Sequence, residues 1–177
     1  MGSTNKILIV DDEDLVLDFL SEFLKSEGFE CIPVRNTKNA REVLEKYAVD
    51  LILCDVNMPG ESGIELIRHI FSDYPETAAI MVTGIDDPEI ARSAIDLGVY
   101  GYILKPFKAN ELLINIQNAL RRRKLEIKDR LHREELEHLI SKRTAELNAS
   151  NTQLRKNMEG IIQAMSETIE KKDPDRK

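Results

Sequence analysis

Three aspartates, a threonine and a lysine stand where apolar runs stop. Asp11 and Asp12 follow residues 6–10. Asp55 closes the run Leu51-Ile-Leu-Cys-Asp55 and is followed at once by Val56-Asn57-Met58-Pro59-Gly60. Thr83 follows residues 78–82 and precedes Gly84, and Lys105 follows residues 100–104 and precedes Pro106. A carboxylate at the end of a buried strand, just before a Pro-Gly turn, is poorly placed for packing and well placed for chemistry. Three carboxylates brought together repel unless something positive sits among them, and hard oxygen ligands at that density suit Mg²⁺. An ammonium can hold one anionic oxygen and a hydroxyl can donate to another. The set suits phosphoryl transfer to a carboxylate, with Asp55 as nucleophile. Singly, each residue has an ordinary reading as a cap, a turn residue or a solvated charge; the chemistry lies in their joint occurrence.

The elements that must position these groups alternate. Strand-like runs at 6–10, 29–34, 51–54, 78–82 and 100–104 are continuous and apolar, as expected of strands buried on both faces. Between them lie helical periodicities. Leu15, Val16, Phe19, Leu20, Phe23 and Leu24 form the first inner face, which Gly28 ends. Thr37 caps a second helix with Ala40, Val43, Leu44 and Tyr47 inward. Ser62 or Gly63 opens a third with Ile64, Ile67, Ile70 and Phe71 inward. Asp86 or Asp87 caps a fourth with Pro88 in its first turn, Ile90, Ala94, Ile95 and Leu97 inward, and Gly98 at its end. A fifth packs Leu112, Leu113, Ile116 and Leu120. Five alternations imply an α/β fold, a doubly wound parallel sheet covered on both faces, with right-handed crossovers. Sites in such sheets form at the carboxyl ends of the strands.

After Ala109 the text changes to helix formers, so the fifth helix runs on. Ile140, Leu147, Leu154 and Ile161 recur every seven residues, with Thr144, Asn151, Met158 and Met165 four residues after each. That is a heptad seam, with a stutter expected near 131–140. A helix of some 60 residues reaches ~90 Å and must find a partner; a second copy is the simplest, and Asn151 in the seam favours a parallel homodimer through this coiled coil. The basic run Arg121-Arg122-Arg123-Lys124 is read as a solvated face with salt bridges to Glu126 and Asp129.

Composition bounds the rest. The 177 residues carry a net charge of −7 and are 32% charged, which argues against nucleic acid as a partner. Cys31 and Cys54 lie in apolar runs and read as buried thiols rather than a disulfide. No stretch is long enough for a membrane span and no signal-peptide core is present, so a cytoplasmic location is expected. His69, His132 and His138 read as surface positions.

The acidic pair after the first strand, Asp-x-x-Met-Pro-Gly after the third, Thr-Gly after the fourth and Lys-Pro-Phe after the fifth together resemble the receiver domain of two-component response regulators, over residues 5–120. The resemblance implies a flavodoxin-like sheet of order 2-1-3-4-5, with a long helix extending from the fifth. It implies Asp55 as phosphoacceptor, and Mg²⁺ held by Asp12 and Asp55, with Asp11 close by or acting through water, and by the backbone carbonyl of Asn57. It implies Lys105 as the phosphoryl partner, a cis Lys105–Pro106 bond, and Thr83 with Tyr102 as the switch pair. Met58, Pro59, Gly60 and Gly63 shape the loop, and Gly84 leaves the phosphate accessible. The implied donor is a sensor histidine kinase or phosphotransfer protein.

Residues 121–172 are then a coiled-coil dimerisation and linker helix, and 173–177 a tail. The segment Gln163-Ala-Met-Ser-Glu-Thr-Ile-Glu-Lys-Lys-Asp-Pro174 resembles the helix leading into HD-GYP-type phosphohydrolase domains, which degrade cyclic dinucleotides; similar helices join receivers to cyclases and histidine kinases. The His-Asp motifs of such an output do not follow Pro174, so the chain reads as a phosphoacceptor and not an enzyme, whether a fragment or a regulator acting only through protein–protein contact. The alternative, an aspartyl-phosphate type phosphohydrolase, wants an acid two residues after its nucleophile, where Asn57 stands.

Overall fold

The computed structural model describes residues 4–84 and 86–172; the tail 173–177 lies outside them. The elements are β1 (Lys6–Val10), α1 (Asp14–Ser26), β2 (Glu30–Val34), α2 (Thr37–Lys46), β3 (Leu51–Asp55), α3 (Gly63–Asp73), β4 (Ala78–Thr83), α4 (Pro88–Leu97), β5 (Gly101–Leu104) and α5 (Ala109–Lys172). All strand pairs are parallel, in the order β2-β1-β3-β4-β5. This is the doubly wound, flavodoxin-like sheet expected.

Alternation along the strands divides the core in two. Leu8, Val10, Ile52, Cys54, Ala79 and Met81 face one way, where α2, α3 and α4 supply Leu44, Leu66, Ile67, Ile70 and Ala94. Ile7, Ile9, Leu51, Leu53, Ile80 and Val82 face the other, against Leu17, Leu20 and Leu24 of α1 and Leu112, Ile116 and Ala119 of α5. Because β1, β3 and β4 are covered on both faces, their ends are held rigidly. That matters for what stands there.

Several helix faces differ from the periodic reading. In α1 the buried line is Leu17, Leu20, Ser21 and Leu24, whereas Leu15 is 85% exposed and Phe19 50%. The apolar stripe is too wide to choose its own phase, and the sheet chooses it. Phe19 instead stacks on Phe23 and leans on Phe107. Asn36, not Thr37, caps α2, its side chain accepting from the Asn39 N–H, and Thr37 is buried as the first helical residue. Tyr47 has left the helix and is exposed, with the Lys6 ammonium over its ring. Ile95 of α4 is exposed.

Two compact units divide between Ile127 and Lys128. The described part of the second, residues 128–172, is continuous helix, including 131–140. Its Ile140, Leu147, Leu154, Met158, Ile161 and Met165 are all exposed. Among the described residues, no helix is long and apolar enough to cross a membrane.

Candidate functional site

The winding reverses between β1 and β3, and in open α/β sheets the crevice for ligands forms there, at the carboxyl ends of the strands. Val10 pairs with Cys54, so Asp11 and Asp55 emerge side by side one residue later. Asp55 pairs with Val82 and Thr83 with Leu104, which brings Thr83 and Lys105 to the same rim. Backbone bonds fix each exit: the Asp11 N–H donates to Val34 O at 3.2 Å, and the Lys105 N–H to Thr83 O at 2.7 Å. The Lys105–Pro106 bond is cis, as the motif implied.

The Lys105 ammonium donates to Asp11 Oδ2 at 2.7 Å and to Asp55 Oδ2 at 3.1 Å, with Glu13 Oε1 at 3.3 Å. Asp12 completes the group: Asp11, Asp12 and Asp55 each bring a carboxylate oxygen within 4.8 Å of the others. The second oxygens are used locally, Asp11 Oδ1 accepting from the Glu13 N–H at 2.9 Å and Asp55 Oδ1 from the Asn57 N–H at 3.3 Å. Asp11 and Asp55 are buried and Asp12 is exposed. The buried carboxylates of Asp11 and Asp55 and the exposed one of Glu13 share a single ammonium, and the exposed Asp12 adds a fourth negative charge beside the two aspartates.

Titration follows from this geometry. Burial pushes the Asp11 carboxyl above its ordinary value, against the opposing pull of Lys105 and the Glu13 N–H. Burial favours a neutral Lys105, but hydrogen bonds and charges from Asp11 and Asp55 outweigh it and raise its pKa, so it stays an ammonium. Beneath Asp55, burial pushes up the Cys54 thiol, which donates to Asp55 O at 3.2 Å. Hard oxygen donors crowded around one point, with a cation already drawn in, fit a divalent ion such as Mg²⁺.

Thr83 is fully buried at its strand end. Tyr102 lies on the side of β5 facing α4, packed against the first core. Burial raises its phenol, and the charges of Asp86 and Asp87 add to this. Asn57 reaches Asp55 through its backbone N–H while its side chain is exposed. Glu13 was not foreseen; the only signal was its place in the acidic run Asp11-Asp12-Glu13-Asp14.

The loop after Asp55 is held by its own backbone and caps. Gly60 takes a φ of +91°, and Ser62 caps α3 with a reciprocal capping box to Glu65. The Gly63 N–H donates back to Val56 O at 3.0 Å.

A sheet of this order, with an acidic crevice at its switch point and a lysine after β5, defines a class, and the family model for the response regulator receiver domain matches residues 7–117. The chain belongs to that family. A curated relative, the cyclic di-GMP phosphodiesterase of Thermotoga maritima, is 37% identical over 117 residues, covering 66% of this chain and 31% of its own. The CheY-like receiver domain protein from Methanospirillum hungatei superposes with a TM-score of 0.67 at 31% identity, over 70% of this chain and 99% of that one. The signal receiver domain of an HD domain-containing protein from Pseudomonas fluorescens has the same TM-score at 29% identity, over 69% and 98%. The chain thus spans about a third of the length of the curated relative, and nearly all of the solved receivers.

Proposed function

We propose that Asp55 is the phosphoacceptor of a two-component relay and that the long helix reads out its state. The observation that carries this is the Lys105 ammonium bridging Asp11 and Asp55, with Asp12 alongside. An Asp55 carboxylate oxygen attacks phosphorus. An O–P bond forms, and the donor's bond to phosphorus breaks, its electron pair leaving with a histidine nitrogen or an acyl oxygen. Lys105 then holds an oxygen of the transferred group. The Thr83 hydroxyl moves to another, and Tyr102 turns inward behind it. Asp11, Asp12, Asp55 and the Asn57 carbonyl are the groups that would hold Mg²⁺, whose role is to neutralise charge on the transferring phosphoryl group. The donor is a sensor histidine kinase or a phosphotransfer protein.

Beryllofluoride with Mg²⁺ should shift amide resonances around 56–63, 83–87 and 102–105 in the wild type and leave Asp55→Asn unchanged. Equal responses in both would sink the assignment.

In this reading residues 5–120 are the receiver and 121–172 a coiled-coil linker that pairs in parallel as a homodimer. Six seam residues stand exposed on the second unit, an apolar line that water should not be left to cover. Light scattering should show the full chain as a dimer and residues 1–127 as a monomer; a monomeric full chain at tens of micromolar removes the seam. The names of the Thermotoga and Pseudomonas relatives favour an output of the HD type acting on cyclic dinucleotides, with this chain as its phospho-regulated part rather than the enzyme.

A further inference from the structure

The basic run at Arg121–Lys124 is not simply solvated. Arg123 Nη1 donates to Asp50 Oδ1 at 2.8 Å, and its Nε donates to Glu76 O. Both side chains of the pair are largely covered, 18% exposed for Arg123 and 27% for Asp50. Asp50 is itself immobilised. Its other oxygen accepts from the Lys6 N–H at 2.7 Å, its own N–H donates to Lys6 O at 2.9 Å, and its carbonyl accepts from the Ala78 N–H at 3.1 Å. A residue that leads into β3, and is tied by its carboxylate and backbone to β1 and by its carbonyl to β4, therefore holds the helix.

One residue before β5, Tyr100 holds the next turn. Its hydroxyl donates to Glu126, whose other oxygen accepts from Arg122 Nε at 2.8 Å, and the Arg122 guanidinium lies 5.0 Å over the Tyr100 ring. An exposed i,i+4 pair such as Arg122–Glu126 contributes little alone; here it is closed into a ring by an aromatic fixed to the sheet through Tyr100 N–H to Ala79 O at 2.7 Å. Burial and then Glu126 push the phenol up to about 12, which keeps it a donor.

We propose that Asp50 and Tyr100 form an anchor at the strand-start face, fixing the root of α5 at Arg122, Arg123 and Glu126, and that β5 links this anchor to the acidic crevice. Gly101–Leu104 is four residues long. Lys105 grips Asp55 at one end and Tyr100 grips α5 at the other. A shift of β5 on phosphorylation is then transmitted to the helix root directly, on the face opposite the phosphoacceptor. The second half of this statement rests on the reading of Asp55 given above; the anchor itself does not.

Amide hydrogen exchange on the full chain separates the two. Relative to wild type, Tyr100→Phe, Arg123→Gln and the double variant should exchange faster over 121–127, by roughly tenfold or more in the double variant, while 111–118 is unchanged. With beryllofluoride and Mg²⁺, wild type should change over both 56–63 and 121–127, and the double variant over 56–63 alone. Unaltered exchange over 121–127 in the variants overturns the anchor. A beryllofluoride response at 121–127 that survives in the double variant overturns the link through β5. No response at 56–63 in wild type overturns the phosphoacceptor reading and leaves the anchor to stand or fall on the first comparison. Should the double variant unfold, Tyr100→Phe, which removes one hydroxyl, decides by the same criteria.

Discussion

Gly63→Ala should lose about 2–3 kcal/mol of stability, the upper part of the range for inserting a methyl group into close-packed structure. A Cβ at Gly63 would lie 1.9 Å from the Asp55 carbonyl oxygen and 2.9 Å from both the Asp55 carbonyl carbon and Cys54 Sγ. The nearest atoms are backbone of the central strand, so no side chain can swing away to make room. The better helix propensity of alanine, about 1 kcal/mol, offsets only part of this. Either the start of α3 or the end of β3 must move, and the second carries Asp55, the proposed phosphoacceptor. The urea midpoint should fall by about 1–2 M, and the beryllofluoride response should weaken with it. Gly60→Ala is the control: the φ of +91° costs about 1–2 kcal/mol there, but nothing lies within 4 Å of the new methyl group. A Gly63→Ala midpoint within error of wild type would show that β3 and α3 do not meet this closely.

What could be read in advance divides along physical lines. The strands and the polar groups at their ends were legible because buried parallel strands announce themselves as apolar runs, whereas the strand order that gathers those groups came only with the resemblance to receiver domains. The phase of α1 was not. With Leu15, Val16, Leu17, Phe19, Leu20, Phe23 and Leu24 all apolar, periodicity supports more than one inward face, and only docking on the sheet selects Leu17, Leu20 and Leu24. The cap of α2 illustrates a second limit. Asn36 and Thr37 are both capping types in adjacent positions, and burial of Thr37 decides between them.

The anchor at Asp50 is a third kind of case. In the sequence Asp50 merely precedes the apolar run 51–54, and Arg123 is one of four consecutive basic residues on a helix. Their pairing spans 73 positions and exists because the order β2-β1-β3-β4-β5 sets the start of β3 at the centre of the sheet. Asp129 shows the local counterpart: expected to serve the basic run, it pairs instead with Arg133 one turn on. Partners at i,i+4 are sequence facts, whereas partners across the sheet belong to the topology.

Lys105→Met should destabilise the domain most near neutral pH, and the loss should shrink toward pH 4. The substitution removes the ammonium from between two carboxylates whose side chains are 3% and 7% exposed. Breaking a buried pair from one side costs roughly 3–5 kcal/mol, because the remaining charge is left uncompensated. Proton uptake relieves it. Burial already holds the folded-state pKa of Asp11 above its ordinary value of 3.8, and Lys105 is among the influences opposing that rise. Without Lys105 the rise is larger. A carboxyl whose folded-state pKa lies above its unfolded one keeps its stability contribution below the unfolded value and loses it as pH climbs through the folded one. The difference between variant and wild type should therefore be small near pH 4 and grow toward neutrality. Mg²⁺ should act in the same sense as the proton, recovering stability in Lys105→Met by supplying the missing cation to Asp11, Asp12 and Asp55. Urea midpoints across this range, with and without millimolar Mg²⁺, measure both effects. A deficit independent of pH would mean that Lys105 contributes packing rather than charge. A deficit that Mg²⁺ leaves untouched would mean that the three carboxylates do not hold the ion.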